Sequence, residues 1–488
     1  MTTHWVPDLP VAPLHAPPHV LDLIEPLRGR GQGTAVVDGE GSFDYAELDE
    51  RSAAVATALR AAGVEPDGPV VVHARLSRWA VVAMLGVLRA GARYVPVDAG
   101  FPVARQRYIA EASGARLSVS EPGLGVRLDG LRTVSADTDG PRGGTVRGTL
   151  AYTCFTSGST GRPKGVTISA SALAASTAAR LAYYPEPVST FLLCSSISFD
   201  SSVAGIYWTL ACGGRLVIPS DRPADLLAVG RAAAEHRASH LLMLPSLYEI
   251  ALRGGLAARA EALSTVIVAG EACPPGLVRQ HFDALPRTRL YNEYGPTECT
   301  VWSAVHECTP ADADLPDVPI GGPVPGTSLY VRSADGAAVP PGTPGELHIG
   351  GPGLAEPARE LYRTGDIVSV TAGAELRFHG RADHQLKLGG MRVDRSEIEQ
   401  ALRTHRDVTA AAVGVCSVRG RKKVVGFVSS TTGEVDQRSL RAHLIERLPA
   451  VAVPTRIVAL PRLPELPNGK VDHGAVDELA HDALLQKN

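Results

Sequence analysis

Ten consecutive residues, Thr156-Ser157-Gly158-Ser159-Thr160-Gly161-Arg162-Pro163-Lys164-Gly165, constrain this chain more than any other stretch. They hold three glycines, four hydroxyls, one guanidinium and one ammonium, set between the apolar run 150–155 and the β-branched run Val166-Thr167-Ile168. That setting predicts a loop pinned between strands rather than a free linker. Its composition suits a polyphosphate, wrapped by backbone N–H groups and neutralised by the two cations. It is not a P-loop, because Pro163 precedes Lys164, and Gly165 follows where a magnesium-binding hydroxyl is needed. A magnesium ligand must therefore come from elsewhere in the chain.

At 488 residues the chain exceeds what one hydrophobic core organises, so two or more domains are expected. With 44% hydrophobic and 20% charged residues and a formal charge of −3, it offers no electrostatic case for nucleic acid or an anionic membrane. The seven cysteines are scattered and form no CxxC pair, which argues against a disulfide framework or a zinc site and for a reducing, cytoplasmic setting. No run approaches the ~18 apolar residues of a membrane span, and the N-terminus lacks a signal-type pattern.

Short β-branched runs alternate with helical periodicities as far as Pro319. Helices are expected over 43–62, 81–90, 169–181 and 226–236, and strands over 70–73, 94–98, 191–195, 215–219, 240–244 and 265–269. Another helix begins near Phe199-Asp200-Ser201-Ser202, with Asp200 or Ser201 as its cap. This alternation predicts an α/β fold with parallel sheets, in which ligands gather at the carboxyl ends of strands. Gly270-Glu271 and Asn292-Glu293-Tyr294-Gly295-Pro296-Thr297-Glu298 occupy such ends. Taken alone, the second stretch also reads as a tight turn.

Past Pro319 turns and short strands indicate a β-rich subdomain, including Tyr362-Arg363-Thr364-Gly365-Asp366, whose last three residues equally suit a hairpin turn. A boundary near Asp383 divides a large domain, 1–382, from about 100 residues of α+β character, 383–488.

Together these motifs resemble those of adenylate-forming enzymes, specifically the adenylation domains of nonribosomal peptide synthetases. The elements follow in the family's order: Phe43-Asp44-Tyr45-Ala46-Glu47-Leu48, the run 88–98, the opening loop, Phe199-Asp200-Ser201-Ser202, 292–298, Gly345-Glu346-Leu347, 362–366, 380–387, Leu448-Pro449 and Asn468-Gly469-Lys470-Val471-Asp472. The resemblance implies a large α/β domain followed by a small mobile C-terminal domain. It also implies ATP and Mg²⁺, formation of an aminoacyl adenylate with release of pyrophosphate, and transfer to the phosphopantetheine thiol of a carrier protein. An MbtH-like accessory protein is a further partner that it admits.

By the same resemblance Thr156, Ser157, Gly158, Ser159, Thr160, Gly161 and Lys164 surround the β- and γ-phosphates. Tyr294 is the face on which adenine packs, with Gly295 beside it, Asn292 a base-edge partner and Thr297 a phosphate contact. Glu298 is the magnesium ligand that the loop lacks. Asp366 accepts the ribose hydroxyls, supported by Arg381, and Asp383 is the hinge of the small domain. Lys470 bridges the substrate carboxylate, the ribose and the α-phosphate, so one cation holds nucleophile and electrophile together. Gly389-Gly390 faces the pantetheine channel.

Asp200 is implied to pair with a substrate α-ammonium, which favours an α-amino acid over fatty or aryl acids. The side-chain pocket carried over is Ser201, Ala204, Met243, Ile267, Ala269, Glu293, Val301 and Trp302. Small residues leave room for a large side chain, and Trp302 could stack on a ring. Glu293 is the one acidic group, and a buried carboxylate needs a donor. A phenol hydroxyl or a side-chain cation would supply it, so tyrosine or a close analogue is the first expectation and a basic amino acid the second.

The chain departs from the family in two places. Glu356-Pro357-Ala358-Arg359-Glu360 stands where relatives carry roughly twenty more residues, a surface loss that loops tolerate. Leu388-Gly389-Gly390-Met391-Arg392 lacks an arginine of the carrier-facing loop. The resemblance fits a stand-alone enzyme or an excised module. The other readings are an acyl- or aryl-CoA synthetase, a non-catalytic nucleotide-binding relative and, disfavoured by Pro163 and Gly165, a P-loop kinase.

Overall fold

Leu241-Leu242-Met243 and Val266-Ile267-Val268 are continuous apolar runs, and such runs bury on both faces of a parallel sheet. They lie in the strands β1 (His240–Met243) and β2 (Thr265–Ala269), which pair in parallel, and β2 pairs in parallel with β3 (Arg289–Tyr294). This is a computed structural model, and it describes residues 12–25, 33–156, 162–222, 225–357, 360–382, 385–418, 421–430, 435–464 and 471–485. The chain divides into two compact units. The first is built from residues up to Ala99, Ala110–Cys154 and Gly165–Ala382; the second holds Gly100–Ile109, the described residues of Phe155–Lys164, and those from Asp383 onward.

In the first unit, β1–β3 belong to a nine-stranded sheet that continues through Thr190–Leu192, Arg215–Val217 and Thr34–Asp38, all parallel. Antiparallel strands close its edges: β4 (Ala304–Cys308) and Gly322–Pro323 beyond β3, and Gly41–Asp44 at the far side. A second sheet has six strands, with Pro69–Ala74 and Arg93–Asp98 at its centre. A third is antiparallel: Ser328–Arg332, Gly345–Gly350, β5 (Tyr362–Val370) and β6 (Leu376–Arg381). The parallel α/β alternation and the β-rich stretch past Pro319 are thus both as the sequence predicts.

Two helices matter for the site. The helix α1 (Ala170–Tyr183) starts at Ser169, whose side chain accepts from the Ala172 N–H. The helix α2 (Asp200–Cys212) buries Trp208 against Phe191, ring centroids 6.2 Å apart, and each such side chain contributes roughly 1.5–3 kcal/mol by leaving water. Asp200 does not cap α2. The N-cap position is Phe199 and Asp200 is the first helical residue, where the helix dipole still favours a carboxylate. The turn readings also fail: Asn292, Glu293 and Tyr294 are the last three residues of β3, and Thr364-Gly365-Asp366 lies inside the nine-residue β5.

In the second unit, Gln385–Leu388 and Met391–Asp394 form a hairpin whose two turn residues, Gly389 and Gly390, have φ of +54° and +75°. Two positive φ values in succession are what a two-residue hairpin turn demands, so the turn itself accounts for both glycines. Ala410–Val418, Arg421–Ser429 and Arg456–Ala459 make a three-stranded sheet, and Phe427 and Val425 pack with Val476 and Ala480 of the helix His473–Leu485. Arg395 holds Asp477 through two hydrogen bonds of 2.9 and 2.8 Å.

Candidate active site

Successive side chains of a strand point to opposite faces, so β3 sorts its residues into two sets. Tyr291 and Glu293 stand beside Ile267 and Ala269 of β2, and Glu293 lies opposite Val305 of β4. Asn292 stands beside Val268 and opposite His306, and Tyr294 lies opposite Ala304. Ile267, Tyr291, Val305, Ala204 and Trp302 share one apolar cluster, with Val301 against it. Met243 does not join them. The register pairs it with Val268, both belong to a separate cluster, and Leu242 takes the place beside Ile267. Ser201 and Ala269 are half-buried, as is Asp200.

Glu293 is enclosed by α1. Arg180 donates from Nη1 to Oε1 at 2.6 Å and from Nη2 to Oε2 at 2.9 Å, and the Tyr184 hydroxyl donates to Oε1. The side chains of Arg180 and Glu293 are only 1% and 2% exposed. Burial works against the Arg180 cation, but Glu293 and Tyr184 outweigh it and leave its pKa raised. Burial and then Glu293 push the Tyr184 hydroxyl well above its usual range, so it remains a donor. The guanidinium also lies 4.3 Å from the centroid of the Trp302 ring. The phenol and the cation that the sequence assigns to a substrate are therefore both supplied by the chain. Trp302 is likewise engaged: Tyr184 stacks with it at 5.8 Å.

Between β3 and β4 the backbone is strained. Thr300 and Val301 have φ of +53° and +81°, which costs a β-branched residue on the order of 1–3 kcal/mol. The Trp302 N–H donates to Thr300 O at 3.1 Å, closing a tight turn over Val301. Three contacts hold that turn: Ser176 Oγ to Thr300 O (2.8 Å), Trp302 Nε1 to Ser176 O (3.3 Å) and Thr300 Oγ1 to Gly353 O (2.6 Å). Gly295 is required beneath it, since a Cβ there would stand 2.4 Å from Trp302 Cα. Thr297 and Glu298 form a short 3₁₀ turn and are half-buried, and the Glu298 carbonyl accepts from the Ala355 N–H at 2.8 Å.

On the other face of β3, a second carboxylate is held. Asp366 pairs in register with Arg381, whose Nη1 donates to Oδ1 at 2.5 Å while Nη2 turns to Thr364 O at 3.0 Å. The Tyr294 hydroxyl donates to Oδ2. Burial and then Asp366 raise the Tyr294 pKa well above its usual range. Asn292 Nδ2 donates to Pro319 O at 2.8 Å, so one amide hydrogen is already committed. A carboxylate has about four lone-pair directions, and these two donors occupy about half of them.

The structure thus gathers Asn292, Tyr294, Asp366 and Arg381 around one strand end, and Ala204, Ile267, Ala269, Glu293, Val301 and Trp302 around the opposite face. Thr156 ends one strand of the second sheet, and Lys164 begins another with its side chain exposed. Ser157, Gly158, Ser159, Thr160, Gly161, Asp383 and Lys470 lie outside the described residues.

Sequence reasoning missed Ser176, Arg180 and Tyr184. One signal was available for Arg180, the single charged residue in the fourteen of α1. It missed as well how the run 88–98 serves the site. The Asp98 carboxylate accepts from Ser196 Oγ, and the Asp98 N–H donates to Ser198 Oγ at 2.9 Å, which fixes the segment leading to Asp200.

Known proteins resemble this chain in sequence and fold. A family model described as AMP-binding enzyme matches residues 25–357, and one described as AMP-binding enzyme C-terminal domain matches residues 397–470. The chain is 35% identical over 479 residues to CymA of Salinispora arenicola, a probable non-canonical nonribosomal peptide synthetase, covering 93% of this chain and 6% of that protein. It is 34% identical over 481 residues to bacitracin synthase 3 of Bacillus licheniformis, covering 91% and 7%. It therefore spans only a small fraction of the length of these relatives. PA1221, a nonribosomal peptide synthetase protein containing adenylation and PCP domains, matches in structure with a TM-score of 0.81 at 26% identity, over 94% of this chain and 84% of that one. Among the described residues no helix is long and apolar enough to cross a membrane. The chain belongs to the AMP-binding enzyme family, and over most of its length it is similar to a part of nonribosomal peptide synthetases.

Proposed function

We propose that the chain activates an α-amino acid with ATP, forming the aminoacyl adenylate and pyrophosphate, and then passes the aminoacyl group to the phosphopantetheine thiol of a carrier protein. The observation that carries this reading is the buried Asp366 carboxylate, held by Arg381 and Tyr294 with acceptor capacity to spare. A ribose presents two hydroxyl donors, which such a carboxylate can take. Asp200, at the start of α2, supplies the counter-charge for the substrate α-ammonium.

In the first step a substrate carboxylate oxygen attacks the α-phosphorus, and the bond from that phosphorus to the bridging oxygen of pyrophosphate breaks. Such a transfer needs positioning and charge neutralisation more than proton transfer. Lys470 holds the two reacting groups, while Lys164 and the glycine-rich loop balance the leaving pyrophosphate. Magnesium is typically bound by one or two carboxylates together with substrate phosphates. Among the described residues no three His, Cys, Asp or Glu side chains cluster as a metal cage, and the half-buried Glu298 fits as the protein's share of such a site. When bound there, the ion supplies charge neutralisation at the phosphates.

The substrate side chain is neutral on this reading. Tyrosine keeps the support of small residues and apolar walls but loses the argument from Glu293, and a basic side chain loses its counter-ion to Arg180. ATP–pyrophosphate exchange tests the proposal, run over a panel of amino acids and their counterparts without the α-amine. Exchange is expected with neutral amino acids and not with the amine-free acids. Equal exchange with both would remove the role of Asp200 and favour an acyl- or aryl-acid ligase. Lys470→Ala should abolish adenylate formation, and intact formation would remove that residue from the first step.

A further inference from the structure

The enclosed carboxylate on β3 raises a question that the pocket composition alone leaves open, namely what Glu293 does if it does not meet the substrate. Its Oε1 and Oε2 are each taken by a different Arg180 nitrogen, and Oε1 also by Tyr184. Arg180 in turn covers Trp302 at 4.3 Å, and Tyr184 stacks on the same indole and lies 4.6 Å from the Trp208 ring. The cation, the carboxylate and the aromatic rings therefore form one buried cluster whose charges are paired internally.

We propose that Arg180, with Tyr184, is a specificity-determining positioning residue: it holds Glu293 as part of the pocket wall and thereby excludes charged side chains from the amino-acid site. The inference rests on the reading that the chain adenylates amino acids. A cationic side chain entering the pocket meets Arg180 as a like charge, with Glu293 already committed. An anionic one meets Glu293 with Arg180 already committed. Neither finds an available counter-ion, and a buried charge without one is strongly disfavoured. A neutral side chain brings no charge that needs a counter-ion. Removing Arg180 therefore converts Glu293 from wall to ligand, and basic amino acids should gain most.

The test is ATP–pyrophosphate exchange by the full chain with leucine, phenylalanine, tyrosine, ornithine and lysine, comparing the wild type with Arg180→Met and Arg180→Lys. Arg180→Met should raise the basic-to-neutral exchange ratio at least tenfold, and added guanidinium ion should reverse the change. A folded Arg180→Met variant with an unchanged ranking overturns the proposal. If that variant does not fold, Arg180→Lys decides, because it keeps a cation opposite Glu293 but loses the paired donors. Its amino-acid KM should rise at least fivefold while the ATP KM stays as in wild type, and an unchanged amino-acid KM overturns the proposal. A wild type that exchanges with no amino acid at all would sink the adenylation reading itself, and this inference with it, an outcome distinct from an unchanged ranking.

Discussion

The two faces of β3 carry the same three chemical groups in different hands. On one, a carboxylate (Glu293) meets an arginine (Arg180) and a tyrosine hydroxyl (Tyr184); on the other, a carboxylate (Asp366) meets an arginine (Arg381) and a tyrosine hydroxyl (Tyr294). Arg180 spends both terminal nitrogens on its carboxylate and is 1% exposed. Arg381 spends one, turns the other to a backbone carbonyl, and is 12% exposed. The first set is closed on itself, and the second keeps acceptor capacity for a ligand. An acidic residue at a pocket position is thus a wall or a ligand according to how its partners distribute their donors, not according to its type.

The comparison can be broken most directly at Glu293. Glu293→Leu strands a buried guanidinium and should cost about 3–5 kcal/mol of unfolding free energy by chemical denaturation. The double change Arg180→Met with Glu293→Leu should recover most of that loss, and if the two single losses simply add, the pair is not the closed unit described. Asp366→Asn keeps an oxygen for Arg381 and should cost less stability than Glu293→Leu, but should raise the ATP KM by tenfold or more. This corresponds to the ~1.5–3 kcal/mol of a hydrogen bond to a charged group. The amino-acid ranking should not move, and a shifted ranking would mean that the two faces do not divide their work.

A smaller effect concerns His240, edge-on to Trp208 at 5.1 Å and lowered by burial to a pKa of about 4. Between pH 6.5 and 4 the unfolded chain takes up a proton that the folded chain refuses, so stability should fall as pH drops. The slope is at most about 1.4 kcal/mol per pH unit for this group. His240→Gln should flatten that part of the melting profile, and an unchanged profile would show that burial does not keep the ring neutral. The smallest effect expected is from Tyr294→Phe, which leaves Asp366 one donor short and should shift ATP binding by about 1 kcal/mol. Tyr184→Phe should leave the ATP KM alone, and equal effects from the two would erase the distinction between the faces.

Much of this was legible from residue order. The alternation of β-branched runs with helical periods predicted parallel sheets, because a strand buried on both faces must be apolar throughout, as Val266-Ile267-Val268 is. The turn chemistry past Pro319 predicted a β-rich subdomain, which the structure shows to be antiparallel. Local signals failed where two readings share a composition: Asp200 suits a cap and a first-turn acid, and Thr364-Gly365-Asp366 suits a turn and a strand. For Met243 the structure adds only the register, which places it beside Val268 and in a cluster separate from that of Ile267.

What the sequence by itself determined is the family, since ordered motifs and short-range periodicity are properties of neighbours along the chain. What only the tertiary structure decided is how Glu293 is paired. Its partner Arg180 is 113 positions away in sequence and reaches it because α1 packs on that face of β3. Whether a buried carboxylate awaits a ligand or is already paired depends on which donors the fold brings within hydrogen-bonding distance, and no pattern along the chain encodes that proximity.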